Sequence, residues 1–121
     1  WVSSVSQPST SGGLTTYRSL DLGSTGVAVK TSAGQLYGYY LYNNSSSATR
    51  FVKIYDKASA ASSSDTPVMT LPIPAGSAAN VSFGAGIAFA SGISVRATTA
   101  IADNDTGAPS TNDVVVNLLY K

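Results

Sequence analysis

Arg50-Phe51-Val52-Lys53-Ile54-Tyr55-Asp56 alternates along its length. Val52 and Ile54 fall on one side, and Phe51, Lys53 and Tyr55 on the other, the period of two that an extended strand imposes. Toward the N-terminus, Asn43–Ser47 reads as a turn after a second alternating run, Gln35–Tyr42. In that run Leu36, Tyr40 and Tyr42 oppose Tyr37, Tyr39 and Leu41. Ser32-Ala33-Gly34 makes another turn, preceded by a strand over Gly26–Thr31 with Val27 and Val29 on one face. The stretch from Asp21 to Gly26 breaks the chain again, and a first strand is expected over Leu14–Leu20.

Toward the C-terminus, Lys57–Asp65 is a loop of small residues, expected to pack little. Val68–Ile73 reads as a strand whose later part should lie at a sheet edge, because Pro67, Pro72 and Pro74 lack ladder donors. Asn80–Phe83 and Gly86–Phe89 read as two short strands flanking glycines. Ser91–Ala100 follows, with Ile93, Val95 and Ala97 alternating with Ser94, Arg96 and Thr98. A polar loop, Ala102–Asn112, leads to a last strand, Val114–Tyr120. Helical periodicity is absent, and strands recur roughly every 8–12 residues, the spacing of an all-β sandwich. Eight antiparallel strands in two sheets suggest a jelly roll, with an immunoglobulin-like sandwich as the alternative. Residues 1–13 (WVSSVSQPSTSGG) read as an extended N-terminal arm, and residues 14–121 as one domain. The first residue is Trp1 rather than Met, and a removed signal peptide would leave no trace here.

The 121 residues are 43% hydrophobic but only 11% charged, with seven Lys or Arg scattered singly and a net charge of +1. Ser and Thr make up about a quarter of the chain and carry most of its polarity. No basic patch of the kind that neutralises phosphates is present, so nucleic-acid partners are not expected. Neither a polybasic anchor nor a long apolar stretch points to a membrane.

His, Cys and Glu are all missing. The commonest general base, the thiol nucleophile and most transition-metal ligands are therefore missing too, and no enzymatic activity and no cofactor are expected. The six Asp residues sit mostly in turns, where a carboxylate accepts nearby backbone N–H groups. Asp103-Asn104-Asp105-Thr106-Gly107 resembles half of a calcium loop. It lacks the closing Glu, so an ordinary Asx-rich loop is expected and no metal site is assigned. Gly84-Ala85-Gly86 lacks the Lys and helix of a phosphate loop and reads as a bulge or corner. Sequons begin at Asn43, Asn44, Asn80 and Asn104, as chance readily produces in a Ser/Thr-rich chain.

Tyrosines cluster at Tyr37, Tyr39, Tyr40, Tyr42 and Tyr55. Tyr buries its ring well while its hydroxyl keeps a partner, which suits both cores and protein interfaces. The residues expected to contact a partner are Trp1, Val2 and Val5 in the arm, with Tyr37, Tyr39 and Tyr55 on the strands. Exposed, coplanar tyrosines would instead suit a carbohydrate-binding module.

Several segments occur here in a familiar order: Gly26-Val27-Ala28-Val29-Lys30, Phe51-Val52-Lys53-Ile54-Tyr55-Asp56-Lys57 and Asp65-Thr66-Pro67-Val68. They are followed by Pro72-Ile73-Pro74-Ala75, Gly86-Ile87-Ala88-Phe89 and Ala102-Asp103-Asn104-Asp105-Thr106. This set, spanning residues 26–121, resembles short virion structural proteins and domains of tailed phages, notably phages of cyanobacteria and marine bacteria. The resemblance implies a small β-sandwich on the virion, at the capsid surface as a head decoration (cement) protein or in a fibre or tail. It implies the major capsid protein, further copies in a homotrimer, or both as partners, and supplies no catalytic residues. An arm that orders on binding suits a protein that clamps several capsid subunits. A glycan is the partner under the alternative, as a fibre module or adhesin.

Overall fold

Alternating runs of β-branched and aromatic residues gain most from a pleated, half-buried surface, and the chain uses them as eight strands. The computed structural model describes residues 13–121, so all of the expected arm but Gly13 lies outside it. The strands are β1 (Thr15–Ser19), β2 (Val27–Lys30), β3 (Gly34–Asn43), β4 (Arg50–Asp56), β5 (Met69–Ile73), β6 (Ala78–Phe89), β7 (Ile93–Thr98) and β8 (Val114–Tyr120).

They form two four-stranded antiparallel sheets, ordered β1-β8-β3-β6 and β2-β7-β4-β5. The order follows from one long hairpin. β4 pairs with β5 at its tip, then β3 with β6, β2 with β7 and β1 with β8. Successive rungs lie in alternate sheets, and the pairings β3–β8 and β4–β7 complete them. That wrapped hairpin is a jelly roll. An immunoglobulin-like sandwich pairs its first strand with its second; here β1 pairs with β8, which removes that alternative.

Between the sheets lie Leu36, Leu41, Val52, Ile54, Ile73, Phe89, Ile93, Val95, Val116 and Leu118, all buried. The predicted alternation of β4 and β7 holds, with Val52, Ile54, Ile93, Val95 and Ala97 turned inward. β5 is an edge strand, as its prolines require. Leu22, within the expected turn, is also buried and ties to β8 through its N–H and the Val114 carbonyl, 3.1 Å.

Three local expectations are corrected. Gln35–Tyr42 does not alternate with one phase, because a β-bulge interrupts the register between Leu36 and Gly38. An extra residue flips every later side chain to the other face. Leu36 therefore shares the core with Tyr39 and Leu41, while Tyr40 and Tyr42 are exposed. The two expected strands around Gly84 are one strand, β6, irregular at its centre, where Gly86 takes φ 78°. The small-residue loop 57–65 is not free of the core. Ala61 is buried, its N–H donates to Ser94 Oγ at 2.9 Å, and a Cβ on Gly26 would sit 2.0 Å from the Ala61 carbonyl oxygen.

Candidate functional site

The two outer faces of the sandwich differ, and the difference begins with which strand residues face outward. On sheet β2-β7-β4-β5 these are Lys53 and Tyr55 of β4 with Ser94, Arg96 and Thr98 of β7, all buried. Long polar side chains on an outer face are buried only if something covers them, and here the loops 57–68 and 99–113 do so. Lys53 and Arg96 are direct register partners. Lys53 Nζ donates to the Ala102 carbonyl. Arg96 donates from Nη2 to the Asp103 carbonyl and from Nη1 to that of Asp105, each at 3.0 Å, and from Nε to Tyr55 Oη at 2.7 Å. Its guanidinium also lies 5.9 Å from the centre of the Tyr55 ring, within cation–π range.

Two cations side by side away from water repel and are poorly solvated. Burial pulls the Lys53 ammonium below its usual value and the Arg96 charge adds to this, while Asp105 and Asp103 act in the opposite sense. The carbonyls of the 102–105 loop supply the dipoles that hold both cations. This settles what the Asp-Asn-Asp loop does in the folded chain. The Asp105 carboxylate accepts from the N–H groups of Ala100 and Gly107, both at 3.1 Å. The loop carbonyls of Ala102, Asp103 and Asp105 face Lys53 and Arg96. Among the described residues, no group of three or more His, Cys, Asp or Glu is placed to hold a metal ion.

Other carboxylates follow the expected turn role. Asp56 accepts from the N–H groups of Ser91 (2.8 Å), Ala90 (3.1 Å) and Gly92 (3.3 Å), which holds its carboxyl below the usual range. Asp65 is also held low, first by Lys57 at 2.7 Å and then by the Ser62 N–H. Asp21 accepts from the Asn112 N–H at 2.7 Å, and Asp113 pairs with Arg50 at 2.9 Å. Asn43, the first sequon residue, is buried. It donates to the carbonyls of Ala48 and Ile73, each at 2.8 Å, and accepts from the Ser45 N–H at 2.9 Å.

Among the described residues, the outer face of sheet β1-β8-β3-β6 carries exposed side chains. One row across it runs Arg18, Asn117, Tyr40, Asn80, and the next places Val115 beside Tyr42 and Ala78. Tyr40 is 44% exposed and Tyr42 38% exposed. Leu14 and Leu20, at the two ends of β1, are exposed as well. Arg18 is the one charged side chain in these rows.

The expected contact residues divide accordingly. Tyr55 is not a surface residue, because the Arg96 bond and the covering loops enclose it. Nor is Tyr39, which the bulge turns into the core, 5.9 Å from the Phe83 ring. Tyr37 is half-buried, with its hydroxyl donating to Gln35 Oε1. Trp1, Val2 and Val5 lie outside the described residues. The exposed aromatic pair is Tyr40 and Tyr42, and the signal that could have found it is Gly38, a glycine inside a strand. Neither a protein-family model, nor a curated protein, nor a solved structure matches this chain.

Proposed function

We propose that the chain is a structural protein of a tailed-phage virion, acting at the capsid surface as a head decoration (cement) protein. The observation that carries this reading is the asymmetry of the two outer faces. One is sealed by the chain's own loops, and the other is a nearly neutral sheet face bearing Tyr40, Tyr42, Val115 and Leu119 beside Asn80 and Asn117. A surface poor in charge and rich in Tyr is the composition of a protein interface. The jelly roll supports the reading without deciding it, because the fold serves viral capsid and lectin domains alike. The resemblance of the ordered segments to phage virion proteins supports the location, and the absence of His, Cys and Glu removes the usual means of catalysis.

In this reading the open face lies on the capsid and residues 1–13 reach a neighbouring subunit. Binding to the assembled head alone stabilises it by linkage. Adding the chain to heads that lack it should raise their disruption temperature, and deleting residues 1–13 should lower occupancy. Full occupancy by the deleted chain would sink the role of the arm, and an unchanged disruption temperature would sink the cement role.

A second reading, a carbohydrate-binding module of a fibre or adhesin, is favoured by one observation. Tyr40 and Tyr42 are exposed on the same face of β3, with Asn80 and Asn117 beside Tyr40. Rings two residues apart on a strand lie about 7 Å from each other, and amides next to them suit sugar hydroxyls. A glycan array distinguishes the readings: binding lost in Tyr40→Ala would favour the sugar, and no binding would remove it.

A further inference from the structure

A sandwich of two open sheets has four edges, and an unprotected edge is a template for another strand. Three of the four edges here are blunted. β5 contains Pro72 and is flanked by Pro67 and Pro74. β2 is four residues long and ends on Lys30. β1 is five residues long and carries Arg18. β6 is different: it is 12 residues long, contains no proline, and lies at the end of its sheet with β3 as its one strand partner among the described residues. No Asp, Glu, Lys or Arg occurs anywhere from Thr66 to Val95. The central irregularity at Phe83–Gly86 limits regular pairing to part of the strand. That leaves Ala78–Ser82, which is in unbroken register with Gly38–Tyr42 and whose far side presents every second backbone N–H and C=O.

We propose that two copies of this chain join through β6, with Ala78–Ser82 pairing antiparallel to itself across a two-fold axis near Asn80. A second copy is the occupant that fits. An antiparallel strand is its own complement under a two-fold axis, which here sets Asn80 opposite its own mate, Ala78 opposite Ser82 and Ala79 opposite Val81. A charged edge would set like charges against one another in that arrangement; this edge has none. The pairing joins two four-stranded sheets into one of eight strands. Their outer faces, with Tyr40 and Tyr42 one strand in from the seam, become a continuous surface. It yields an even-numbered assembly, where the phage resemblance implies a trimer, and it holds whatever the assembled protein attaches to.

The test is the solution mass of the full chain across a concentration series, beside Asn80→Lys, Asn80→Asp and their equimolar mixture. Asn80 is exposed, so each variant should keep the wild-type circular dichroism. The wild type should reach twice the chain mass. Each single variant should dissociate at about fivefold or more higher concentration, as like charges placed opposite each other weaken a strand pair. The mixture should regain the dimer, because Lys then faces Asp. A monomeric or trimeric wild type, or single variants that dimerise as the wild type does, would overturn the proposal.

Discussion

Lys53 and Arg96 face each other across β4 and β7, two buried cations on adjacent strands held by the carbonyls of Ala102, Asp103 and Asp105 and the hydroxyl of Tyr55. The relationship explains why the 99–113 loop lies on this sheet. Removing the guanidinium orphans two carbonyls and the Tyr55 hydroxyl at once. Arg96→Ala should lower the unfolding free energy by about 3–5 kcal/mol, the range for breaking a buried charged network. Arg96→Lys should recover part of the loss, because a point charge replaces a fork. Urea unfolding checks both; a loss under about 1 kcal/mol for Arg96→Ala would mean the loop does not depend on Arg96.

Asn43, with no exposure to water, ties the β3 end to the β5 end by donating to the Ile73 carbonyl, and holds the following turn by donating to Ala48 and accepting from Ser45. Asn43→Ala should destabilise by about 2–3 kcal/mol, since two buried carbonyls and one N–H lose their partner. Chemical denaturation should show the shift in midpoint with an unchanged slope.

Gly26 is fixed by close approach rather than by its dihedral angles. A methyl group there meets the carbonyl oxygen of Ala61, a backbone atom that cannot rotate aside. Gly26→Ala should cost about 2 kcal/mol or more and free loop 57–68. Faster exchange of the Ala61 amide is the signature to seek, because that N–H is bonded to Ser94.

The pH dependence follows from Asp56 and Asp65, whose carboxyls are held below their usual value by backbone N–H groups and by Lys57. A carboxyl with a folded pKa below its unfolded one binds fewer protons when folded. Its contribution is present above the unfolded value of about 4 and is lost as pH falls through the folded value. The wild type should therefore lose melting temperature on acidification below about pH 4. Asp56→Asn with Asp65→Asn should melt lower at neutral pH and lose less on acidification. Parallel curves for the two proteins would contradict this assignment.

The strand residues were readable because each buries one side of an alternating run. Val52, Ile54, Ile93, Val95 and Ala97 sit where their period of two puts them. The same rule failed at Tyr37–Gly38, since a bulge adds one residue without changing composition, and the exposed pair Tyr40 and Tyr42 was lost with it. It failed again at Tyr55, Lys53 and Arg96, which alternate as solvent-facing residues do. Distant loops cover them, and that burial depends on tertiary contacts no local pattern contains. The order of strands was legible only as a class, because β1 meets β8 across nearly the whole chain.

We propose that the open face of sheet β1-β8-β3-β6 attaches a virion protein to the phage head. A density map of the phage particle tests it most directly. The map should show a jelly roll on the head lattice with Tyr40 and Tyr42 turned to the capsid and the Lys53–Arg96 side turned to solvent. Density confined to the tail or fibres, or a head-bound jelly roll seated on its loop-covered face, would contradict it.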